Sequence, residues 1–177
     1  GVSSSPELMA TLFGTPLKWV VMLAPLVFIF FVPILLNSGI GRFGGLMTLS
    51  AFSALMGLSF ATIFVVYSMG SIFTAFMGSA VLFGVMSFYG YFTKRSLESL
   101  GQFMFIGLIA IIIASIINIF IGSTVFQMVI SALAIIIFLG LTAYDTQTIR
   151  EQLMDNSDSI AEIYGAITLY LDFINIF

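Results

Sequence analysis

Apolar residues occur along this 177-residue chain in long unbroken runs separated by short polar or glycine-containing connections. Six runs stand out: Leu17–Leu36, Gly45–Tyr67, Ile72–Tyr91, Phe103–Ile121, Val125–Tyr144 with a polar extension to Arg150, and Ile160–Phe177. At a rise of 1.5 Å per residue, about twenty residues cross the ~30 Å hydrocarbon layer of a bilayer, so each run predicts a spanning helix. In lipid the backbone must satisfy its own hydrogen bonds, which leaves helices or a closed barrel. Barrel strands would alternate apolar and polar positions over about ten residues, and these runs do not alternate. The expectation is an all-α membrane protein: a polytopic helical bundle, one transmembrane domain over residues 1–177, with six spanning helices.

The connections refine that picture. Asn37–Gly44 is a glycine-rich turn, Ser68–Ser71 and Gly122–Thr124 are tight, Phe92–Gly101 is charged and Glu151–Ser159 is acidic. Short turns make sequential helices antiparallel neighbours. Pro25 and Pro33 are expected to kink the first helix and free carbonyls that need other partners. Small residues at four-residue spacing, such as Ser53/Gly57/Ala61, Ser71/Ala75/Ser79, Ala80/Gly84 and Ala110/Ala114/Asn118, mark faces where backbones approach closely. Asn118, Gln127 and Asn175 read as interhelical hydrogen-bonding residues.

Composition agrees with the pattern, since 60% of residues are hydrophobic and 7% charged, against roughly 25% charged in soluble domains. The net charge of −3 and the lack of a basic patch exclude nucleic acid as a partner. Cysteine and histidine are both absent, which removes disulfides, thiolate chemistry and histidine-bound metals and leaves carboxylates to carry any pH response. Of the five basic residues, Arg42, Lys94, Arg95 and Arg150 fall in the first, third and fifth connections, and Lys18 stands beside Trp19 at the other side. Cytoplasmic loops carry the Lys/Arg excess, so the odd-numbered connections are expected inside and Gly1 outside. That orientation suits a further helix preceding Gly1.

No nucleophile elbow, phosphate-binding glycine loop or metalloprotease helix is present, and an enzyme is not expected. No cofactor is expected either. What remains is a pair of acids, Asp145 and Asp172, within the last two apolar runs. A carboxylate in a spanning helix costs about 2.5–3.5 kcal/mol on insertion scales and by default marks an ion path, a proton site or a ligand. In an antiparallel hairpin the two lie at equal depth when the turn is centred between positions 158 and 159, and the polar stretch Asp155–Ser159 falls there. Two facing carboxylates in a low-dielectric site cannot both ionise cheaply, so they share a proton and titrate as a unit. Ionised, they suit a hard cation with oxygen ligands, of which calcium tolerates the most irregular geometry, and protons and calcium would compete for the same oxygens. Arg42 and Arg150 are the candidate counter-ions. Asp145, five residues before Arg150, also fits a plain residue at the wet end of its helix. Asp155, Asp158 and Glu162 read as a solvated acidic loop that concentrates cations.

The wording around these acids, Leu141-Thr-Ala-Tyr-Asp145-Thr-Gln147 and Gly165-Ala-Ile-Thr-Leu-Tyr-Leu-Asp172-Phe-Ile-Asn-Ile-Phe177, resembles the Bax inhibitor-1 (transmembrane Bax inhibitor motif) family, especially its bacterial members. Tyr89-Gly-Tyr-Phe-Thr-Lys94-Arg95 is similar to another family segment. The resemblance implies a seven-helix architecture whose first helix would precede Gly1, in the inner membrane of a bacterium. It implies a pH-sensitive calcium leak with Asp145 and Asp172 as the sensor and cation-binding pair. A basic residue following the second helix engages that pair in the family, and Arg42 falls in that region. Some bacterial relatives are described instead as modulators of a membrane-anchored protease, which makes such a protease the alternative partner. An intramembrane aspartyl protease would also need two membrane aspartates, but the flanking Gly-Asp context of such sites is missing here.

Overall fold

The computed structural model describes residues 41–61, 63–155 and 159–177, together with isolated positions 7, 34 and 39. The expected first span, with Pro25, Pro33, Lys18 and Trp19, lies outside the described residues apart from position 34, as does the centre of the acidic connection at 156–158. Among the described residues every regular element is helical: α1 (Gly41–Phe60), α2 (Ile63–Val66), α3 (Met69–Phe92), α4 (Glu98–Ile121), α5 (Thr124–Asp155) and α6 (Ser159–Ile176). Four stretches are long and apolar enough to cross a membrane: Gly41–Val66, Met69–Phe92, Glu98–Ile121 and Thr124–Asp155. The described residues therefore support four spans, where six were expected and the resemblance implied seven. α6 falls outside this set because Glu162, Asp172 and Asn175 interrupt its apolar run within 18 residues.

The chain divides into two compact units, Gly1–Thr74 and Ala75–Phe177. In the first, Gly39 and Gly41 take positive φ values of 76° and 66°, a backbone that side chains disfavour, and α1 starts at once, four residues ahead of the expected Gly45. Gly45, Thr48, Phe52 and Met56 recur every three or four residues and form the buried face of α1. Thr48, Ser50, Ser53 and Ser59 donate to carbonyls four residues back, which satisfies their hydroxyls within the helix.

The second unit is built on two antiparallel hairpins that share α5. At the α4–α5 turn, Gly122 adopts φ 67° and its N–H donates to the Asn118 carbonyl at 2.7 Å. Asn118 completes the turn, its Oδ1 accepting from the Ser123 N–H at 3.2 Å and its Nδ2 donating to Gln127 Oε1 at 2.9 Å. The expected interhelical bond of Asn118 and Gln127 is thus made with each other, whereas Asn175 donates locally to the Leu171 carbonyl at 2.8 Å. Farther along the hairpin Gly101 lies under the Tyr144 ring, where an added Cβ would stand 2.5 Å from it. The lipid-facing side of α4 is correspondingly apolar, with Ile112, Ile113, Ile116, Ile119 and Phe120 all exposed.

α5 is longer than its apolar run. It continues through the polar residues 145–155 for 32 residues in all, about 48 Å at 1.5 Å per residue, well beyond the ~30 Å of hydrocarbon. The acidic connection expected from Glu151 onward is therefore helical as far as Asp155.

Candidate functional site

α6 returns along α5 with Ile163, Gly165 and Ile167 buried, and Gly165 sits close enough to Ile149 that a Cβ would lie 2.9 Å from its Cγ2. This close approach sets the register of the hairpin. Seven residues beyond Gly165 comes Asp172 and four residues before Ile149 comes Asp145, and the two carboxyl groups face each other within hydrogen-bonding reach. Asp172 is 5% exposed, and its buried Oδ2 has no hydrogen-bond partner among the described residues. Asp145 is half-buried. It stands about 30 Å along the helix from Val125 at 1.5 Å per residue, so the pair occupies the far end of a span that begins there, not its middle.

The neighbouring hydroxyls are committed elsewhere. Thr142 and Thr146, both buried, donate to the carbonyls of Phe138 and Thr142 at 2.7 Å, which keeps their protons on their own helix. Among the described residues no third acidic group joins the pair in a cluster able to hold a metal ion. Two carboxylates alone supply at most four oxygens, fewer than the six to eight that a calcium ion prefers.

Arg150 does not pair with either aspartate. Its Nη1 donates to the Tyr91 carbonyl, its Nη2 lies 3.9 Å from Glu151 Oε1, and its guanidinium carbon is 5.8 Å from the centre of the Tyr91 ring. Five residues along a helix turn it away from Asp145 and toward the end of α3, whose last carbonyls lack intrahelical donors. Arg42 is exposed and opens α1 in the first unit. Glu151 and Asp155 are exposed on the last turns of α5, and Glu162 is exposed on α6, in keeping with solvated acids; Asp158 lies outside the described residues.

Sequence reasoning missed Gln147. Only 5% exposed, it accepts from the Leu97 N–H at 2.9 Å through Oε1 and donates to the Arg95 carbonyl at 2.9 Å through Nε2. Leu97 is the N-cap of α4 and offers no side-chain cap, so this amide supplies a bond the α3–α4 connection cannot make for itself. Arg150 one turn later holds the other end of that connection at Tyr91. The signal was an uncharged amide one helical position past the aspartate's neighbour, in a stretch where a solvated helix end would more commonly carry charge.

A helical integral membrane protein with an acidic pair in the seam of its last hairpin is the class these features define. The chain belongs to the Bax inhibitor-1 family: a profile described as inhibitor of apoptosis-promoting Bax1 matches residues 2–177. The inner membrane protein YbhL of Escherichia coli K12 is 42% identical over 137 residues, 74% of this chain and 58% of that protein. An uncharacterized protein of Deinococcus radiodurans is 39% identical over 130 residues, covering 71% and 56%, and one of Rickettsia prowazekii is 40% identical over 130 residues, covering 71% and 55%. The chain thus spans little more than half the length of these relatives.

Proposed function

We propose that the protein is a pH-sensitive calcium leak in a bacterial inner membrane, with Asp145 and Asp172 as both the proton sensor and the cation-binding pair and with the α3–α4 connection on the cytoplasmic side. The observation that carries this reading is the meeting of two carboxyl groups between α5 and α6 with one of them 5% exposed. An acid withdrawn from water, with no basic partner among the described residues, needs a proton or a cation to offset its desolvation. The proton held between two carboxylates must leave before a divalent ion can take both, so acidification displaces calcium. The basic residues Lys94 and Arg95 next to the hairpin support the orientation, since such residues gather on the cytoplasmic side. The inner-membrane location follows the name of the E. coli relative.

Liposomes containing the purified protein and a calcium-sensitive dye test the reading. Calcium binding is expected to weaken as pH falls, and Asp172→Asn is expected to abolish the pH dependence of the flux. An unchanged flux and pH profile in Asp172→Asn would refute the sensor. Co-purification of a membrane protease with a protein that passes no calcium would replace the leak with a regulatory binding role.

A further inference from the structure

Asp145 is presented to α6 by a helix that is held from behind. At 3.6 residues per turn, Ala143 and Gln147 each lie about 160° around α5 from Asp145, one on either side of the opposite pole. Both are buried there, Ala143 against the backbone of Gly90 on α3 and Gln147, 5% exposed, against the α3–α4 connection. Gly140, on much the same side, sits against Met104 of α4, and the Tyr144 ring covers Gly101. On the front, Ile149 one turn past Asp145 packs on Gly165 of α6. The acid thus occupies one face of α5 and its anchorage the other.

The anchorage changes in kind at the level of the acid. Up to Tyr144, α5 is held to α3 and α4 by close glycine contacts, whereas past it the hydrogen bonds to that side come, among the described residues, from Gln147 and Arg150. Arg150 makes its bond to Tyr91 at an exposed rim, where water competes. Gln147, itself buried, makes two bonds, and both partners, the Leu97 N–H and the Arg95 carbonyl, are main-chain groups. Such partners do not titrate, so this hold persists over the whole pH range in which carboxylates change state. Asp145 therefore lies at the junction between a stretch fixed by packing and one fixed chiefly by an amide.

We propose that Gln147 is a positioning residue for the acidic pair: by tying the back of α5 to the α3–α4 connection, it fixes the rotation that points Asp145 at Asp172. This role rests on the reading of the pair as a proton and cation site. Ligand oxygens need to be held within about 0.5 Å of a productive arrangement, and groups that orient ligands from behind are worth about 10–100-fold in metal affinity. Without the amide, the helix beyond Tyr144 is free to turn, and the two carboxyl groups meet less squarely. The titratable and charged groups around this stretch are Asp172 on α6, Arg150 on α5 itself, and Tyr91, Lys94, Arg95 and Glu98 along the α3–α4 side, the last four exposed. Gln147 adds no charge to them, so an uncharged replacement alters geometry and leaves the set of charges intact.

Equilibrium dialysis of radioactive calcium against the full chain in lipid nanodiscs, over a range of pH and with thermal melting of the same samples without calcium, tests this. Gln147→Leu is expected to bind calcium about tenfold more weakly. The midpoint of its pH profile is expected to move toward acid by about half a unit, because carboxylates held less squarely share a proton less firmly. Asn118→Leu is the matched control: it removes the amide bonds to Ser123 and Gln127 at the opposite end of the α4–α5 hairpin, and is expected to melt lower with affinity and midpoint unchanged. Gln147→Asn, one methylene shorter, carries the same comparison if Gln147→Leu does not insert. Equal losses of affinity in the Gln147 and Asn118 variants would overturn the positioning role in favour of a general loosening. Wild-type affinity and midpoint in Gln147→Leu alongside lost binding in Asp172→Asn would overturn it and leave the pair standing. Equal binding by wild type and Asp172→Asn would remove the pair itself, and the role of Gln147 with it.

Discussion

α4 and the second half of α5 lie in the same unit and pack on each other, yet they arrange their side chains in opposite ways. α4 exposes Ile112, Ile113, Ile116, Ile119 and Phe120 and buries Gly101 and Asn118. From Gly140 onward α5 buries Thr142, Ala143, Thr146 and Gln147. Hydrocarbon is as hospitable to isoleucine as a protein interior is, so helices in lipid gain little by hiding it. Small residues gain close backbone approach, and polar ones gain partners that lipid cannot offer. Burial in this protein therefore picks out its joints and its chemistry, and large apolar side chains are a poor guide to either.

The sharpest way to break that contrast is to put bulk at a joint. Gly90→Val should cost about 2–3 kcal/mol or more, since overpacking a tight contact forces the backbone to move. Gly84→Val on the same helix, where a Cβ meets nothing within 4 Å, is the matched control and should melt within a degree or two of wild type on the scale of ordinary surface changes. Equal melting of the two variants in detergent would show that the Gly90–Ala143 approach is not a joint.

A polar partner comes next in size. Gln147→Leu keeps the volume but strands the Leu97 N–H and the Arg95 carbonyl, at a cost of about 1–3 kcal/mol for each buried group left unmet. Amide exchange at Leu97 should accelerate, while amides near Gly122 at the opposite end of α4 stay protected. Unaltered exchange at Leu97 would show that the connection holds itself.

The smallest effect belongs to the lipid-facing side. Ile113→Val on α4 removes one methylene from an exposed position and should change stability by less than about 0.5 kcal/mol. A loss as large as that in a soluble core would mean that this face is packed against protein.

The two acids show how far the chain could be read without its fold. Their level in the hairpin followed from the residue numbers and the polar turn, because antiparallel helices of constant rise leave little freedom in register. That Asp145 could sit at the wet end of its helix was legible from Arg150 five residues on, but how closely each acid is enclosed did not follow. Asp145 is half-buried near the end of its span and Asp172 is enclosed, and that difference depends on which neighbours cover each helix face. Arg150 shows the same limit, because its place at the cytoplasmic rim suggested a counter-ion and the carbonyl of Tyr91 drew it elsewhere. The helical extension to Asp155 was hidden for a related reason, since hydropathy reports where a helix leaves lipid and not where its hydrogen bonds stop.

Sequence alone determined the class of molecule, the approximate starts of the four supported spans and the shared level of Asp145 and Asp172, all of which follow from run length, turn spacing and the intolerance of lipid for unpaired backbone. Tertiary structure decided the rest: the joint at Gly90 and Ala143, the clamp of Gln147 on the α3–α4 connection, and the turn of Arg150 toward Tyr91. These depend on where helices distant in the chain cross, and a crossing is set by small local gaps that no periodicity along one helix records.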